Sequence, residues 1–135
     1  MKYYPMVIIC LLAMTVACKK KHETIKEVKE FKINTPKKVA NATFTVISIV
    51  DNRCPENMNC VSPGSVSVYL KVQEDFDVHT LKFCVGDCKE IGAIDDIIIN
   101  LSNVKYEIKL INVIPLPNAT TPIAPEFIQF EISRD

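Results

Sequence analysis

No tryptophan occurs in this chain, and glycine and histidine are scarce, with three and two residues. Because a phosphate-binding loop needs several glycines close together, the shortage of glycine argues against such a loop. The shortage of histidine leaves few general bases and few imidazole metal ligands. His22 lies in a basic stretch near the N-terminus, and only His79 lies in a segment with regular apolar spacing. We therefore expect a protein that is not an enzyme and that holds no cofactor and no metal ion.

The chain also lacks an apolar run long enough to span a bilayer. The run from Met6 to Ala17 is shorter than the roughly 20 residues that a transmembrane helix needs. It follows the positive charge of Lys2 and ends in a small residue, which is the layout of a secretory signal. We predict a signal peptide over residues 1–17.

The residue after the predicted cleavage site is Cys18. The stretch Thr15-Val16-Ala17-Cys18 resembles the bacterial lipobox, although a leucine-like residue is commoner at the position of Thr15. The resemblance implies that Cys18 is lipidated with acyl chains such as palmitate. Two acyl chains hold a protein stably on a membrane without crossing it. The alternative is a plain secreted protein with an ordinary signal peptide.

Charge is divided unevenly along the chain. Residues 19–38 hold eight lysines against three glutamates, a net of +5, whereas residues 39–135 hold seven basic and thirteen acidic side chains, a net of −6. A basic collar beside the anchor favours anionic lipid headgroups, and the alternative is a solvated tether. An acidic domain without a Lys/Arg stripe argues against nucleic-acid binding. We predict a lipidated tether over residues 18–38 and a single domain over residues 39–135.

The residues directly after the anchor bear on location. Lipoproteins displayed on the surface of some Gram-negative bacteria carry acidic residues there, whereas this chain has Lys19-Lys20-Lys21. We therefore predict a lipid-anchored outer-membrane protein that faces the periplasm. Display at the cell surface is the alternative.

Apolar residues of the domain recur with a period of two, which is typical of strands rather than helices. Apolar and polar residues alternate in Val66–Val72, Tyr106–Leu110 and Ile128–Ile132. Phe44–Val50 and Ile97–Leu101 are apolar on both faces, as in strands covered by another layer. Val78–Val85 is a further strand-like segment. Ile25, Val28 and Phe31 have helical spacing but also suit an early strand. We predict an all-β fold, a single antiparallel β-sandwich or small barrel of six to seven strands.

Four cysteines fall in the predicted domain, namely Cys54, Cys60, Cys84 and Cys88. Outside the cytosol disulfides are the default, and four cysteines allow three pairings. We favour the local pairing, Cys54 with Cys60 and Cys84 with Cys88, because each pair brackets turn-prone residues. Neither spacing is that of a zinc finger or zinc ribbon.

The pair Cys84 and Cys88 carries the main functional alternative. A readily reduced pair would suit a periplasmic thiol-redox protein. Thiolates with a nearby His79 would also suit a soft metal such as copper. The plain interpretation of His79 is an ordinary position in a strand.

Two motifs in the domain resemble a known family. Arg53-Cys54-Pro55, Cys60-Val61 and Gly64 resemble the R-C-P-x4-C-V-W-A-G signature of a widespread family of small uncharacterised bacterial lipoproteins. The segment from Ile108 to Pro117 resembles the I-x-L-x-x-V-x-P-x-P strand and corner of that family. This chain has Ser62-Pro63 in place of Trp-Ala and adds a CVGDC insertion. The resemblance implies a β-sandwich-like domain with a disulfide-closed turn and implies no activity.

Two carboxylate pairs, Asp75/Asp77 and Asp95/Asp96, are the remaining candidates for acid–base chemistry. A solvated loop explains the first, and a turn or edge charge explains the second. Nothing places a serine and a carboxylate beside His79. We therefore expect a non-catalytic binding or interaction module with a protein partner in the envelope.

The candidate surface is the proline-fixed turn over residues 114–126, which carries Ile114, Leu116 and Ile123. The alternative for this turn is a loop that folds back to cap the core. We further expect Asp51 and Arg53, two positions apart and so on one face of a strand, to pair across the adjacent corner.

Overall fold

The computed structural model describes residues 25–89, 92, 94–121 and 123–135, and these residues form eight strands and no helix. The strands are β1 (Ile25–Phe31), β2 (Lys37–Val39), β3 (Ala42–Asp51), β4 (Ser65–Glu74), β5 (Asp77–Gly86), β6 (Asp96–Leu101), β7 (Val104–Ile114) and β8 (Phe127–Arg134). They make two antiparallel four-stranded sheets, ordered β1-β8-β7-β6 and β2-β3-β4-β5. The sheets pack face to face around one core, so the predicted β-sandwich is confirmed.

Strand β7 shows how the alternation of the sequence produces the layers. Tyr106, Ile108 and Leu110 are buried, and the side chains between them are exposed. A β-bulge between Leu110 and Asn112 then shifts the phase, so that Val113 is the next buried residue. Because a bulge bends its strand and re-aims the residues that follow, it sets the direction in which β7 leaves the sheet.

Aromatic side chains from both sheets meet in the middle of the core. The ring of Phe130 on β8 makes edge-on contacts with Phe31 on β1 and Phe83 on β5, at centroid distances of 5.7 and 5.1 Å. Phe44 on β3 packs against Tyr106 on β7 at 6.2 Å. Such pairs add about 0.5–1.5 kcal/mol each beyond the burial of area. Phenylalanine and tyrosine therefore join the two sheets in a chain without tryptophan.

The segment predicted to be tether belongs in part to the sheets. β1 pairs with β8 from Ile25↔Arg134 to Phe31↔Ile128, and β2 pairs with β3. The helical alternative for Ile25–Phe31 is therefore wrong, and the sandwich begins at Ile25 rather than at residue 39. The lysine-rich composition misled the prediction because an edge strand exposes most of its side chains and tolerates charge. With β1 and β2 included, eight strands replace the predicted six to seven.

The prediction for β6 is also partly wrong. Ile97 and Ile99 pack against the core, as expected. However, β6 is an edge strand, and Ile98 is exposed on its outer face rather than covered by another layer.

The two ends of the sandwich differ, and we name them by their connections. At the corner end, the loop of residues 52–64, here the corner loop, links β3 to β4, and the segment of residues 115–126, here the corner turn, links β7 to β8. At the turn end, short turns link β2 to β3, β4 to β5 and β6 to β7, and β1 begins at Ile25. The long connections are thus gathered at one end, and the predicted motifs fall on them.

Candidate functional site

Both predicted disulfides are present. Cys54 pairs with Cys60 within the corner loop, with a Cα–Cα distance of 5.9 Å. Cys84 pairs with Cys88 at the end of β5, with a Cα–Cα distance of 6.1 Å. Both distances lie in the usual range for disulfides. The local pairing, one of three that the sequence allowed, is therefore the one in the structure.

Arg53 holds the corner loop against β7. Its guanidinium group forms two parallel bonds with the Asp51 carboxylate, Nη2 to Oδ2 at 2.6 Å and Nε to Oδ1 at 2.8 Å. It also donates through Nη1 to the Val113 carbonyl oxygen at 2.6 Å and through Nη2 to that of Pro115 at 3.0 Å. The Arg53 and Asp51 side chains are only 12% and 13% exposed. The expected pair is confirmed, and the planar fork of arginine lets one side chain bind a carboxylate and two carbonyls.

Further hydrogen bonds join the corner loop to the corner turn. The Glu56 amide donates to the Pro117 carbonyl oxygen at 3.0 Å. The Ala119 amide donates to Asn57 Oδ1 at 2.9 Å, and Asn57 Nδ2 donates to Thr120 Oγ1 at 3.3 Å. Two segments about 60 positions apart in the chain therefore form one unit at this end of the sandwich.

Gly64 closes the corner loop at a place where no side chain fits. Its φ is +70°, and a Cβ atom there would lie 2.0 Å from the carbonyl oxygen of Asn52. The backbones meet this closely because the Asn52 amide donates to the Ser65 carbonyl oxygen at 2.8 Å. Glycine has the conformational freedom and the small size that this approach requires. The glycine of the motif is thus explained by the geometry of the loop.

Four apolar side chains are exposed on the corner loop and the corner turn, and we name them together the corner patch. They are Met58, Val61, Leu116 and Ile123. Val61 is fully exposed, and the other three are about half exposed. Leu116 and Ile123 are exposed, as predicted for the turn, whereas Ile114 is half-buried. Ile114, where the turn starts, therefore helps to cover the core, whereas Leu116 and Ile123 contribute to the exposed apolar surface.

A shallow groove of about 460 Å³ runs along the corner turn. It lies between Glu56 of the corner loop and Leu116 and Ile123 of the turn. A second groove of about 410 Å³ lies on the other side of Ile123, next to Pro117 and Pro125. Apolar side chains beside such depressions are the usual features of a surface that binds another molecule.

The second disulfide lies in a different setting. Cys84 is 2% exposed on the outer face of its sheet, where it pairs with Ser67, which is also buried. Its amide donates to the Ile94 carbonyl oxygen at 3.1 Å. His79 is exposed on β5, and five residues of strand place it about 16 Å from Cys84. The structure does not bring together the residues suggested for copper, and no cluster of three or more metal-ligating side chains occurs among the described residues.

The carboxylate pairs lie near the ends of strands, and Asp77 lies two positions before His79 on β5. Asp75 and Asp77 lie at the turn between β4 and β5, and Asp95 lies 3.8 Å from Lys109 at the start of β6. In the part of the chain that the structure describes, Glu74 Oε2 and Asp96 Oδ1 are buried carboxylate oxygens without a hydrogen-bond partner.

The backbone acceptors of Arg53 could not be read from residue types. The carbonyl groups of Val113 and Pro115 leave no mark in a sequence, since every residue has one. Arg53 nevertheless joins the two motifs that the sequence singled out, because it lies in the first and its acceptors lie in the second.

Comparison of the chain with family models, curated proteins and solved structures finds no match. The resemblance to the lipoprotein family therefore rests on the motifs at residues 53–64 and 108–117, and it stays a prediction. No helix long and apolar enough to cross a membrane is found in the described ranges. The predicted signal peptide and Cys18 lie outside those ranges.

Proposed function

We propose that this protein is a lipoprotein of the cell envelope whose sandwich is a non-catalytic binding module for a protein partner. The acylated Cys18 would hold it on the outer membrane, facing the periplasm. The observation that supports the binding role is the corner patch, four exposed apolar side chains on a unit fixed by a disulfide and by Arg53.

The fixed backbone matters because binding normally costs the ordering of loops and side chains. In the corner, the Cys54–Cys60 disulfide closes the loop, and Arg53 and Asn57 hold it to the corner turn. Little backbone entropy remains to be lost when a partner covers the patch. A rigid scaffold that presents apolar side chains on loops is the usual design of a binding surface.

The position of the patch also suits an anchored protein. The chain enters the sandwich at the turn end through Ile25, whereas the patch lies at the corner end. Strand β3, with ten residues, spans the sandwich from one end to the other. At about 3.3 Å per residue this separates the patch from the anchored end by roughly 30 Å. A partner in the periplasm would therefore reach the patch without meeting the bilayer.

Site-specific photocrosslinking in native membranes tests the binding role. A benzophenone amino acid replaces Val61 in one variant and Leu116 in another, and Ile98, which is exposed on the outer face of β6, serves as the control. We expect both corner positions to give one shared product that excess purified protein competes away, and position 98 to give none. Absence of a product at both corner positions, or the same product from position 98, would contradict the proposal.

Intact mass spectrometry of the protein extracted from its own membrane tests the anchor. We expect the mass of residues 18–135 with diacylated Cys18 and two disulfides. A mature protein without acyl chains would refute the anchor and leave the plain secreted protein.

A further inference from the structure

A cavity of about 240 Å³ opens between the edge strands of the two sheets, and we name it the β1–β2 seam. Its charged lining is Glu27, Lys29, Lys38 and Arg134. The apolar residues Val39 and Ile132, which are buried, lie behind them. The seam is separated from the corner patch by the length of the sandwich, because Ile25 and the β2–β3 turn belong to the turn end.

The seam is open because only one part of the gap between the sheets is bridged. Lys37 on β2 donates through Nζ to the Glu30 carbonyl oxygen on β1 at 2.8 Å, and its ammonium group lies 5.5 Å from the Phe31 ring. This lysine closes the gap at the end of β1 that lies nearer the corner end. Nearer the turn end, the side chains of Lys38 and Arg134 line the gap from opposite sheets.

The seam has a net positive charge, with three cations against one carboxylate. Lys29 Nζ lies 2.6 Å from Glu27 Oε2, and this pair accounts for one charge of each sign. The hydrogen bond from Lys29 lowers the pKa of Glu27, and the charge of Arg134 lowers it further. Lys38 and Arg134 therefore provide two positive charges in excess at neutral pH, beside an apolar wall.

We propose that the β1–β2 seam binds the phosphate headgroup of an anionic phospholipid in the membrane that holds the protein, and so fixes the turn end toward the bilayer. This inference rests on the proposed anchor at Cys18. Six residues, three of them lysines, separate Cys18 from Ile25. At no more than about 3.6 Å per residue, Ile25 lies within about 25 Å of the acylated residue. The seam is consequently held within reach of the headgroup layer.

The chemistry of the seam matches this ligand. The two excess cations match a phosphate, and Val39 and Ile132 offer apolar contact to the glycerol and upper acyl region beside it. Each basic residue near an anionic membrane surface strengthens attachment about fivefold. The pair should therefore hold the turn end to an anionic bilayer tightly enough to restrict rotation about the tether.

The absence of tryptophan allows a single tryptophan to report orientation. V28W places it on the outer face of β1, beside the seam but outside its lining, and V61W places it at the corner end; both valines are exposed. The lipidated protein is reconstituted into phosphatidylcholine vesicles with and without phosphatidylglycerol, and with a trace of dansyl-labelled lipid. We expect energy transfer from V28W to rise severalfold when phosphatidylglycerol is present, and transfer from V61W to stay low.

Charge variants separate the seam from general attraction. In the V28W background, K38Q/R134Q should abolish the rise, whereas K71Q/K105Q, which removes the same charge from side chains outside the seam, should retain it. A rise that survives K38Q/R134Q, or that K71Q/K105Q abolishes equally, would overturn the proposal. Abolition of the rise by millimolar glycerol phosphate in solution would also overturn it, because the seam would then be a site for soluble anions.

Flotation of each variant with both kinds of vesicles tests the anchor independently. A protein that floats with vesicles but shows no dependence on phosphatidylglycerol overturns the seam proposal alone. A protein that does not float and carries no acyl chains overturns the anchor and, with it, the orientation that depends on it.

Discussion

The two disulfides close rings of similar size in very different surroundings. Cys54 and Cys60 lie on a partly exposed loop that is held by contacts from a distant segment, above all through Arg53. Cys84 lies at the end of β5, where strand pairing already fixes the backbone and buries the sulfur. The chain-entropy model gives each ring about 2 kcal/mol, so ring size does not distinguish them. We therefore expect the difference between the two ends of the comparison to come from the contacts around each ring, which at the corner loop are those of Arg53 and Gly64.

Replacement of Gly64 should have the largest effect on the stability of the protein, because it disturbs the contacts that hold the corner loop. We expect G64A to lower the free energy of unfolding by about 4 kcal/mol, because the new Cβ would overlap the Asn52 carbonyl oxygen at a positive φ. G92A is the matched control, since Gly92 also has a positive φ, +62°, but a Cβ atom there would meet no other atom within 4 Å. It should cost about 1 kcal/mol. Urea denaturation of both variants measures the difference, and equal losses would show that strain alone, rather than the close approach, requires glycine at 64.

Removal of the Arg53 side chain should have the next largest effect. R53M leaves the nearly buried Asp51 carboxylate and the Val113 carbonyl without their donor. Breaking such a pair costs about 3 kcal/mol. K109M breaks the exposed pair with Asp95, which is 3.8 Å long, and should cost less than about 0.5 kcal/mol. Thermal and urea denaturation of the two variants measure both effects. A small effect of R53M would mean that the disulfide and the hydrogen bonds of Glu56 and Asn57 position the loop without Arg53.

The rates at which the two disulfides are reduced in the folded protein compare their surroundings directly. Attack by a thiolate needs access to sulfur. Cys60 is exposed and Cys54 is half-buried, whereas Cys84 is buried and Cys88 is half-buried, so the second disulfide offers less accessible sulfur. We expect dithiothreitol to open Cys54–Cys60 at least tenfold faster than Cys84–Cys88, as followed by alkylation and peptide mass spectrometry. Faster opening of Cys84–Cys88 would contradict this and would favour the thiol-redox alternative.

Replacement of Glu27 should have the smallest effect on stability. Glu27 lies on the edge strand β1, where it pairs with Lys29 in solvent. Because its pKa is lowered in the folded protein, Glu27 contributes stability above its ordinary pKa and loses that contribution as the pH falls through the lowered value. E27Q should therefore melt slightly below the wild type at pH 7 and equally with it under strongly acidic conditions. Differential scanning calorimetry at both pH values measures this. A difference that grows as the pH falls would reverse the sign and refute the assignment.

The structural features that depend on residue type and local spacing could be predicted from the sequence. Alternation in Val66–Val72 and Tyr106–Leu110 predicted strands, and the turn-prone residues within each ring predicted the disulfide pairing. The pair of Asp51 and Arg53 followed from their separation by two positions on one strand. These predictions succeeded because each rests on residues that are neighbours along the chain.

Features that join distant segments were not predictable in this way. Lysine-rich β1 looked like a tether because its partner, β8, lies about a hundred positions away and leaves no local trace. The carbonyl acceptors of Arg53 are backbone groups without a sequence signature. The β1–β2 seam is lined from three strands, β1, β2 and β8, and therefore exists only once the sheets have packed.

The pairing of β1 with β8 also bears on when this chain is able to fold. The first and last of the described strands are neighbours, and β8 in turn separates β1 from β7, so the sheet β1-β8-β7-β6 is complete only once β8 has been synthesised. Contacts of such large sequence separation make folding slow. The order of the strands therefore makes completion of this sheet a late step in folding, whereas the sheet β2-β3-β4-β5 is built from strands that follow one another in the chain.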